Sequence, residues 1–209
     1  MGAAVIQKKI YNAYAKVAQK LGYDYDIYRP ITYLDPISLE NWVNKKKLST
    51  APSDSFGSAQ KFSIPILNAF IDGNILQVGD MLFNEDQNRT FFVISMQPHL
   101  PINVIEAPNR ITIKRTSYAD NAGSFEKVAV TIASGVPANI DVPNAAAFSN
   151  GIPSQVGTGQ PKWLIYAWLP DQTISIGDVI TDENGNTAVV QSVNWSPLGY
   201  QIHCVEPSK

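Results

Sequence analysis

The amino-acid sequence predicts a mainly β protein of the small α+β class, in which an N-terminal amphipathic helix precedes a β-barrel or sandwich built from two related hairpin repeats. Three observations predict it: an apolar stripe at helical spacing near the N-terminus, strand-like periodicity from residue 64 onward, and a short Gly-Asp motif that occurs twice. The chain has 209 residues, of which 44% are hydrophobic, so it can bury a core as one domain or as two small ones.

The helix is predicted from apolar residues that recur at intervals of four, four, three and four, namely Ile6, Ile10, Tyr14, Val17 and Leu21. This spacing places them on one face of an α-helix. Gly22 is a suitable stop, and lysines in the last turns favour the negative end of the helix dipole. Because an isolated helix of about five turns is marginal in water, we expect the stripe to dock on its own domain or on a neighbouring subunit.

The chain is expected to divide at residue 63. Prolines after Arg29 and Asp35 predict an irregular crossover behind the helix, and residues 38–63 predict a short helix followed by a surface loop. Residues 1–63 therefore form a helix and arm, and residues 64–209 form the β domain. Within that domain, residues 142–161 carry no charge and predict a long loop that reaches outward.

An internal repeat occupies approximately residues 72–108 and 170–207. Its clearest part aligns residues 76–82, LQVGDML, with residues 174–180, ISIGDVI. Each copy predicts a tight corner, a short strand, a hairpin and a longer strand. The β domain is therefore expected to contain one structural unit twice.

The motif places Asp80 after Gly79 and Asp178 after Gly177. An aspartate at such a corner is most often an acceptor for nearby backbone amides, so we interpret both as structural turn residues. In the second copy, Asn184 and Gly185 predict a two-residue hairpin turn with positive φ. The first copy has no glycine between residues 84 and 89 and predicts a longer loop.

Composition and motifs argue against catalysis, and we predict a protein that is not an enzyme and uses no cofactor. A metal site is disfavoured because Cys204 is the single cysteine, and His203 beside it points to the opposite face of a strand. Ser192, His203 and Asp178 have the residue types of a catalytic triad, but the chain lacks the Gly-x-Ser-x-Gly nucleophile turn. Phosphate-binding glycine motifs are also absent from the sequence.

Charge and hydropathy limit the classes of partner that this chain is expected to bind. The net charge of -2, from 16 basic and 18 acidic residues, lacks the basic excess of a duplex-binding protein, so sequence-specific nucleic-acid binding is not expected. The longest apolar run, residues 163–169, is far below the roughly 20 residues of a membrane-spanning helix, so no membrane partner is expected.

The order of features resembles a family of tailed-bacteriophage and prophage virion proteins of the neck, the head-to-tail connector or collar components. The resemblance touches the whole chain and is carried by these segments: Lys20-Leu21-Gly22 with residues 25–30, residues 76–82 with Phe91-Phe92-Val93, residues 98–101, Asn109-Arg110, Ile176-Gly177-Asp178, and Pro197-Leu198-Gly199-Tyr200. It implies a non-catalytic virion protein that forms a homo-oligomeric ring between the portal protein and other neck or tail proteins. In such a ring, contact with passing DNA would be passive.

The low charge fraction of 16% agrees with large surfaces buried by neighbours, because charged residues are depleted at interface cores. The candidate interface comprises the helix stripe together with three apolar residues of the uncharged loop, Phe148, Ile152 and Val156.

A second interpretation stays open. Trp163 and Trp168, together with the uncharged loop, are also compatible with a glycan- or host-surface-binding accessory module of a virion.

Overall fold

The computed structural model describes residues 2–52, 66–121, 124–142, 161–170, 172–196 and 199–207. The chain is mainly β with one long N-terminal helix, as predicted. It divides into two compact units: Met1–Ile31 with Pro36–Pro108, and Thr32–Asp35 with Asn109–Lys209. None of the helices among the described residues has the length and apolar character needed to cross a membrane.

The first unit contains helix α1 and a closed six-stranded barrel. Its elements are α1 (Ala3–Leu21), β1 (Tyr23–Tyr28), a 3-10 turn (Leu39–Asn41), β2 (Trp42–Pro52), β3 (Ile66–Phe70), β4 (Met81–Asn84), β5 (Arg89–Ser95) and β6 (Ile102–Glu106). The strand order is β1-β2-β3-β6-β5-β4, and antiparallel pairing of β4 with β1 closes the barrel. Tyr25, Ile27, Leu82, Phe91 and Val104 lie in its buried core.

The second unit is another closed six-stranded barrel, formed by β7 (Asn109–Asn121), β8 (Ser124–Asp141), β9 (Pro161–Ala167), β10 (Val179–Asp182), β11 (Thr187–Ser196) and β12 (Gly199–Val205). Its strand order, β7-β8-β9-β12-β11-β10, repeats that of the first barrel strand for strand. Ile113, Ile165, Ile180, Val190 and Ile202 are buried in this unit. The β7–β8 ladder continues to Asn121 and Ser124, beyond the residues that pair with β10 and β9.

The expected domain division is therefore corrected. Residues 64–209 are not one domain with an arm before it, because β1 and β2 belong to the first barrel. The sequence repeat covers β4–β6 and β10–β12, which is the second half of each barrel. The two copies lie in different barrels, and the first half of each barrel lacks a repeat clear enough to read from the sequence.

Residues 38–63 were expected to form a short helix and then a surface loop, but residues 42–52 form strand β2 instead. The part of the expected loop at residues 53–63 lies outside the described residues. The polar and basic residues of β2 are not those of a typical strand: Lys45 and Lys47 are exposed and Lys46 is half-buried, whereas Leu48 is buried in the core. Strand propensity depends on such neighbours more than on the residues themselves.

Helix α1 ends at Leu21, as predicted, and packs against its own barrel. Tyr14 meets Phe70 edge to face at 5.4 Å between ring centroids. Gly22 follows the helix with φ of -96°, and a Cβ on it would lie 2.6 Å from the carbonyl oxygen of Leu48. Glycine is therefore required here for space between the helix end and β2, rather than for a left-handed conformation.

The helix face that docks shares Tyr14 with the predicted stripe but is otherwise different. Tyr11, Tyr14 and Ala18 face the barrel, whereas Ile6, Val17 and Leu21 remain exposed. The apolar part of the helix is wider than one stripe, and the barrel covers one side of it.

The two β hairpins of the repeat have connections of equal length, contrary to prediction. Each has four residues between its strands, 85–88 in the first copy and 183–186 in the second. Asn88 and Gly185 adopt positive φ, at 49° and 84°, but Asn184 does not. The second hairpin is therefore not the expected two-residue turn; its Asp182 carboxylate accepts hydrogen bonds from the amides of Asn184 and Asn186 instead.

Candidate functional site

The two Gly-Asp corners have the same backbone geometry. Gly79 and Gly177 adopt φ of 95° and 91°, a region that favours glycine. The Gly79 amide donates to the Val93 carbonyl at 2.8 Å, and the Val93 amide donates back to the Asp80 carbonyl at 2.9 Å. Gly177, Asp178 and Val190 form the same pair of bonds, both at 2.9 Å.

The aspartate side chains accept backbone hydrogen bonds, as turn chemistry predicts. Oδ2 of Asp80 accepts from the Gln77 amide and Oδ2 of Asp178 accepts from the Ser175 amide, both at 2.8 Å. The side chains of Asp80 and Asp178 are only 1% and 2% exposed. A buried charge of this kind needs a charged partner, because the desolvation cost of an isolated carboxylate is large.

Each aspartate has an arginine partner that the sequence analysis missed. Nε and Nη2 of Arg29 donate to Oδ1 and Oδ2 of Asp80 at 2.7 and 2.8 Å, and Nη2 also donates to the Ile75 carbonyl at 2.9 Å. The hydrogen bond to Asp80 raises the pKa of Arg29 above its ordinary value, against the opposing effect of burial. We call this arrangement the Arg-Asp clamp.

The second barrel contains the same clamp. Nε and Nη2 of Arg115 donate to Oδ1 and Oδ2 of Asp178, both at 2.8 Å, and Nη2 donates to the Thr173 carbonyl at 2.7 Å. The hydrogen bond to Asp178 likewise raises the pKa of Arg115.

A sequence signal for the arginines exists, although it is short. Ile27-Tyr28-Arg29 and Ile113-Lys114-Arg115 occupy matching positions, because Ile27 pairs with Leu82 and Ile113 pairs with Ile180 in the two barrels. Each arginine lies two positions after a buried isoleucine of the first strand of its barrel, β1 or β7. The ion pairs join residues 51 and 63 positions apart, a distance at which sequence patterns do not report contact.

The clamps leave the two aspartates without a free oxygen for acid-base chemistry. Ser192 and His203 pair across β11 and β12, so two members of the considered triad are neighbours. Asp178 is engaged by Arg115 and Ser175 instead, which removes it from the role of orienting the histidine.

Burial lowers the pKa of His203 below its ordinary value of 6.5. Burial also raises the pKa of the Cys204 thiol to about 12, so this thiol is protonated at neutral pH and is a poor nucleophile. Across the described part of the chain, no three His, Cys, Asp or Glu side chains come together as a metal-binding group.

The lysine triplet of β2 lines a cavity of about 260 Å³ beside the helix, with Asp24 and Asp72 in the same wall. Lys45 lies 3.6 Å from Asp26 and Lys46 lies 3.7 Å from Asp72. Carboxylates therefore balance much of the positive charge, and this cavity is not a strongly basic surface.

The aromatic residues proposed for ligand stacking are mostly unavailable, because Trp163 and Trp168 are buried. Trp195 is the more exposed ring, and it packs against Trp168 and Tyr200 with centroid distances of 5.4 and 4.7 Å. The predicted interface residues Phe148, Ile152 and Val156 lie outside the described residues.

These features define two related antiparallel barrels. In each barrel an arginine and a buried aspartate form a clamp beside the pair of strands that closes it. Comparison of the chain with protein-family models, with curated proteins and with solved structures found no match.

We expect Asp80→Ala and Asp178→Ala each to lower the free energy of unfolding by roughly 2–4 kcal/mol, because each leaves an arginine and a backbone amide without their acceptor. The figure is below that of a fully buried pair, since the arginine side chains are 35% and 37% exposed. Urea denaturation monitored by circular dichroism measures it. The matched control is Glu106→Gln, which breaks the surface pair Arg89–Glu106 and should cost less than about 1 kcal/mol. Equal losses in all three variants would contradict a structural role for the clamps.

We expect stability to fall on acidification through a contribution from His203. Because its pKa is lowered in the folded chain, the unfolded chain takes up this proton at higher pH. The stabilisation is complete above the unfolded pKa of about 6.5 and is lost as pH falls through the lower folded value. Urea midpoints at neutral and mildly acidic pH should therefore differ less in His203→Gln than in the wild type. An unchanged difference would rule out this contribution.

Proposed function

We propose that this chain is a non-enzymatic structural protein of the phage virion, a head-to-tail connector or collar component. In this role it forms an oligomeric ring between the portal and the tail. The sequence resemblance described above supports a position in the neck of the virion. The structure adds one observation: α1 keeps an exposed apolar face after docking on its barrel. Leu21, the most exposed of these side chains, is 71% accessible.

An exposed apolar helix face favours assembly for a simple reason. Each apolar side chain that moves from water into an interface contributes about 25 cal/mol per Å² of buried area. Ile6, Val17 and Leu21 lie on one helix within a few turns, so one neighbouring molecule can cover all three. Such a face is typical of a protein–protein contact.

The interior supports a passive role. Asp80 and Asp178, the most deeply buried acids among the described residues, hold backbone corners and arginines rather than pointing into a cavity. The Cys204 thiol is buried and protonated. The two aspartates therefore stabilise the barrels, and the thiol is a poor nucleophile.

We expect the purified full-length chain to form concentration-dependent rings, measured by sedimentation velocity and negative-stain electron microscopy. Closed rings of uniform size would support the proposal. A monomer at every concentration tested, or an open aggregate without symmetry, would contradict it.

A second candidate, a glycan- or host-surface-binding module, is favoured by the exposed ring of Trp195 rather than by the buried Trp163 and Trp168. A glycan array separates the two candidates. Binding of one glycan class by a monomer, abolished in Trp195→Ala, would favour the module and count against the ring.

A further inference from the structure

Helix α1 presents a second apolar face next to the one that docks on the barrel. We call this face the outer stripe and define it as Ile6, Ile10, Ala13, Val17 and Leu21. At about 100° per residue these side chains span roughly 80° of the helix circumference, directly beside the docked face of Tyr11, Tyr14 and Ala18. Ile10 is half-buried and the other four are exposed. The barrel therefore covers only one side of the apolar arc.

The charges on α1 argue against pairing of this stripe with its own copy. The helix carries Lys8, Lys9, Lys16 and Lys20 and has no carboxylate along its length. Lys16 and Lys20 lie along one edge of the outer stripe. A helix pair formed from two such stripes would bring lysines near lysines, which is unfavourable at an interface. The surface that covers the stripe must instead be apolar with carboxylates at its margin.

The first unit has such a surface elsewhere, which we call the Leu39 patch and define as Ile31, Leu39, Glu40 and Trp42. Nearby Asp26 is already paired with Lys45, so Glu40 is the carboxylate that this patch offers. Ile31 and Leu39 are 82% and 89% exposed. Glu40, the residue after Leu39, also has an exposed side chain. Two aliphatic side chains exposed to this degree next to a carboxylate are complementary to an apolar stripe edged by lysines.

Hydrogen bonds hold the Leu39 patch in place. The buried Asn41 accepts from the Arg29 amide at 2.8 Å through its carbonyl and from the Ile31 amide at 3.2 Å through its side chain. Nε1 of Trp42 donates to Oδ1 of Asp26 at 2.9 Å. The patch is therefore presented by a fixed backbone, which reduces the entropy lost on binding.

The outer stripe and the Leu39 patch begin at opposite ends of the β1–β2 ladder. Gly22, at the end of α1, lies against Leu48, which pairs with Tyr23 at the first residue of β1. Trp42 pairs with Tyr28, the last residue of β1. Two complementary surfaces at separate ends of one unit produce head-to-tail contacts, and these generate rings when the rotation closes.

We propose that the outer stripe of one copy docks on the Leu39 patch of the next copy, with Lys16 and Lys20 facing Glu40. This inference rests on the proposed function, because it names the contact between neighbouring subunits of the ring. Leu21 and Leu39 are the apolar anchors, and the charges set the partner and its orientation.

The test uses the full-length chain and two variants at exposed positions, Leu21→Asp and Leu39→Asp. Each variant lacks one of the two surfaces, so each alone should associate at least about tenfold more weakly than the wild type in sedimentation velocity. An equimolar mixture should form a 1:1 dimer, because the intact stripe of Leu39→Asp meets the intact patch of Leu21→Asp. Circular dichroism checks that both variants keep the wild-type fold.

Charge exchange provides a second measurement. Lys16→Glu with Lys20→Glu should weaken association, and adding Glu40→Lys should restore part of it. Lys8→Glu, on the polar side of the helix, is the matched control and should leave association unchanged.

The outcomes separate this contact from the proposed function. Wild-type rings that persist in both aspartate variants would overturn the contact and leave the ring in place. A wild-type monomer would overturn both. Association that is lost in one variant and unchanged in the other would overturn the head-to-tail contact, since pairing of like surfaces gives that result. Loss of association in both variants without a 1:1 dimer in the mixture would overturn it as well.

Discussion

In each barrel a buried aspartate joins the strand that begins the barrel to the strand that closes it. Arg29 follows β1 and Asp80 precedes β4, and these two strands form the closing seam. Arg115 takes the corresponding place within the longer β7, and Asp178 precedes β10. Because a carboxylate at this depth requires both its arginine and its backbone donors, the corner, the seam and the glycine with positive φ depend on one another.

The duplication bears on the role of the corner aspartates and their arginines. A residue pair kept in both barrels, with the same donors to the same oxygens, has a role common to both, and closing a barrel is such a role. The barrels differ in their cores and in the elements added to them. Buried Phe91 of the first barrel matches buried Ala188 of the second. The first barrel has α1 and the Leu39 patch, and the second has the longer β7–β8 ladder and the cluster around Trp195.

Assembly and stability place different demands on α1. The helix must bury enough of Tyr11, Tyr14 and Ala18 to stay on its barrel, since an isolated helix of this length is marginal. Ile6, Val17 and Leu21 stay exposed after this docking. In the contact proposed above, the docked face would hold the exposed face in position for a neighbouring copy.

The sequence by itself determined the features that depend on local geometry. These are the helix and its end at Gly22, the mainly β character of the rest, and the two corners where Gly79 and Gly177 need positive φ. Tertiary structure alone decided that β1 and β2 join a first barrel, that arginines neutralise the corner aspartates, and which side of α1 stays exposed. The reason is physical: strand pairing and ion pairing here join residues tens of positions apart. Their energy depends on burial that exists only after the barrel has closed.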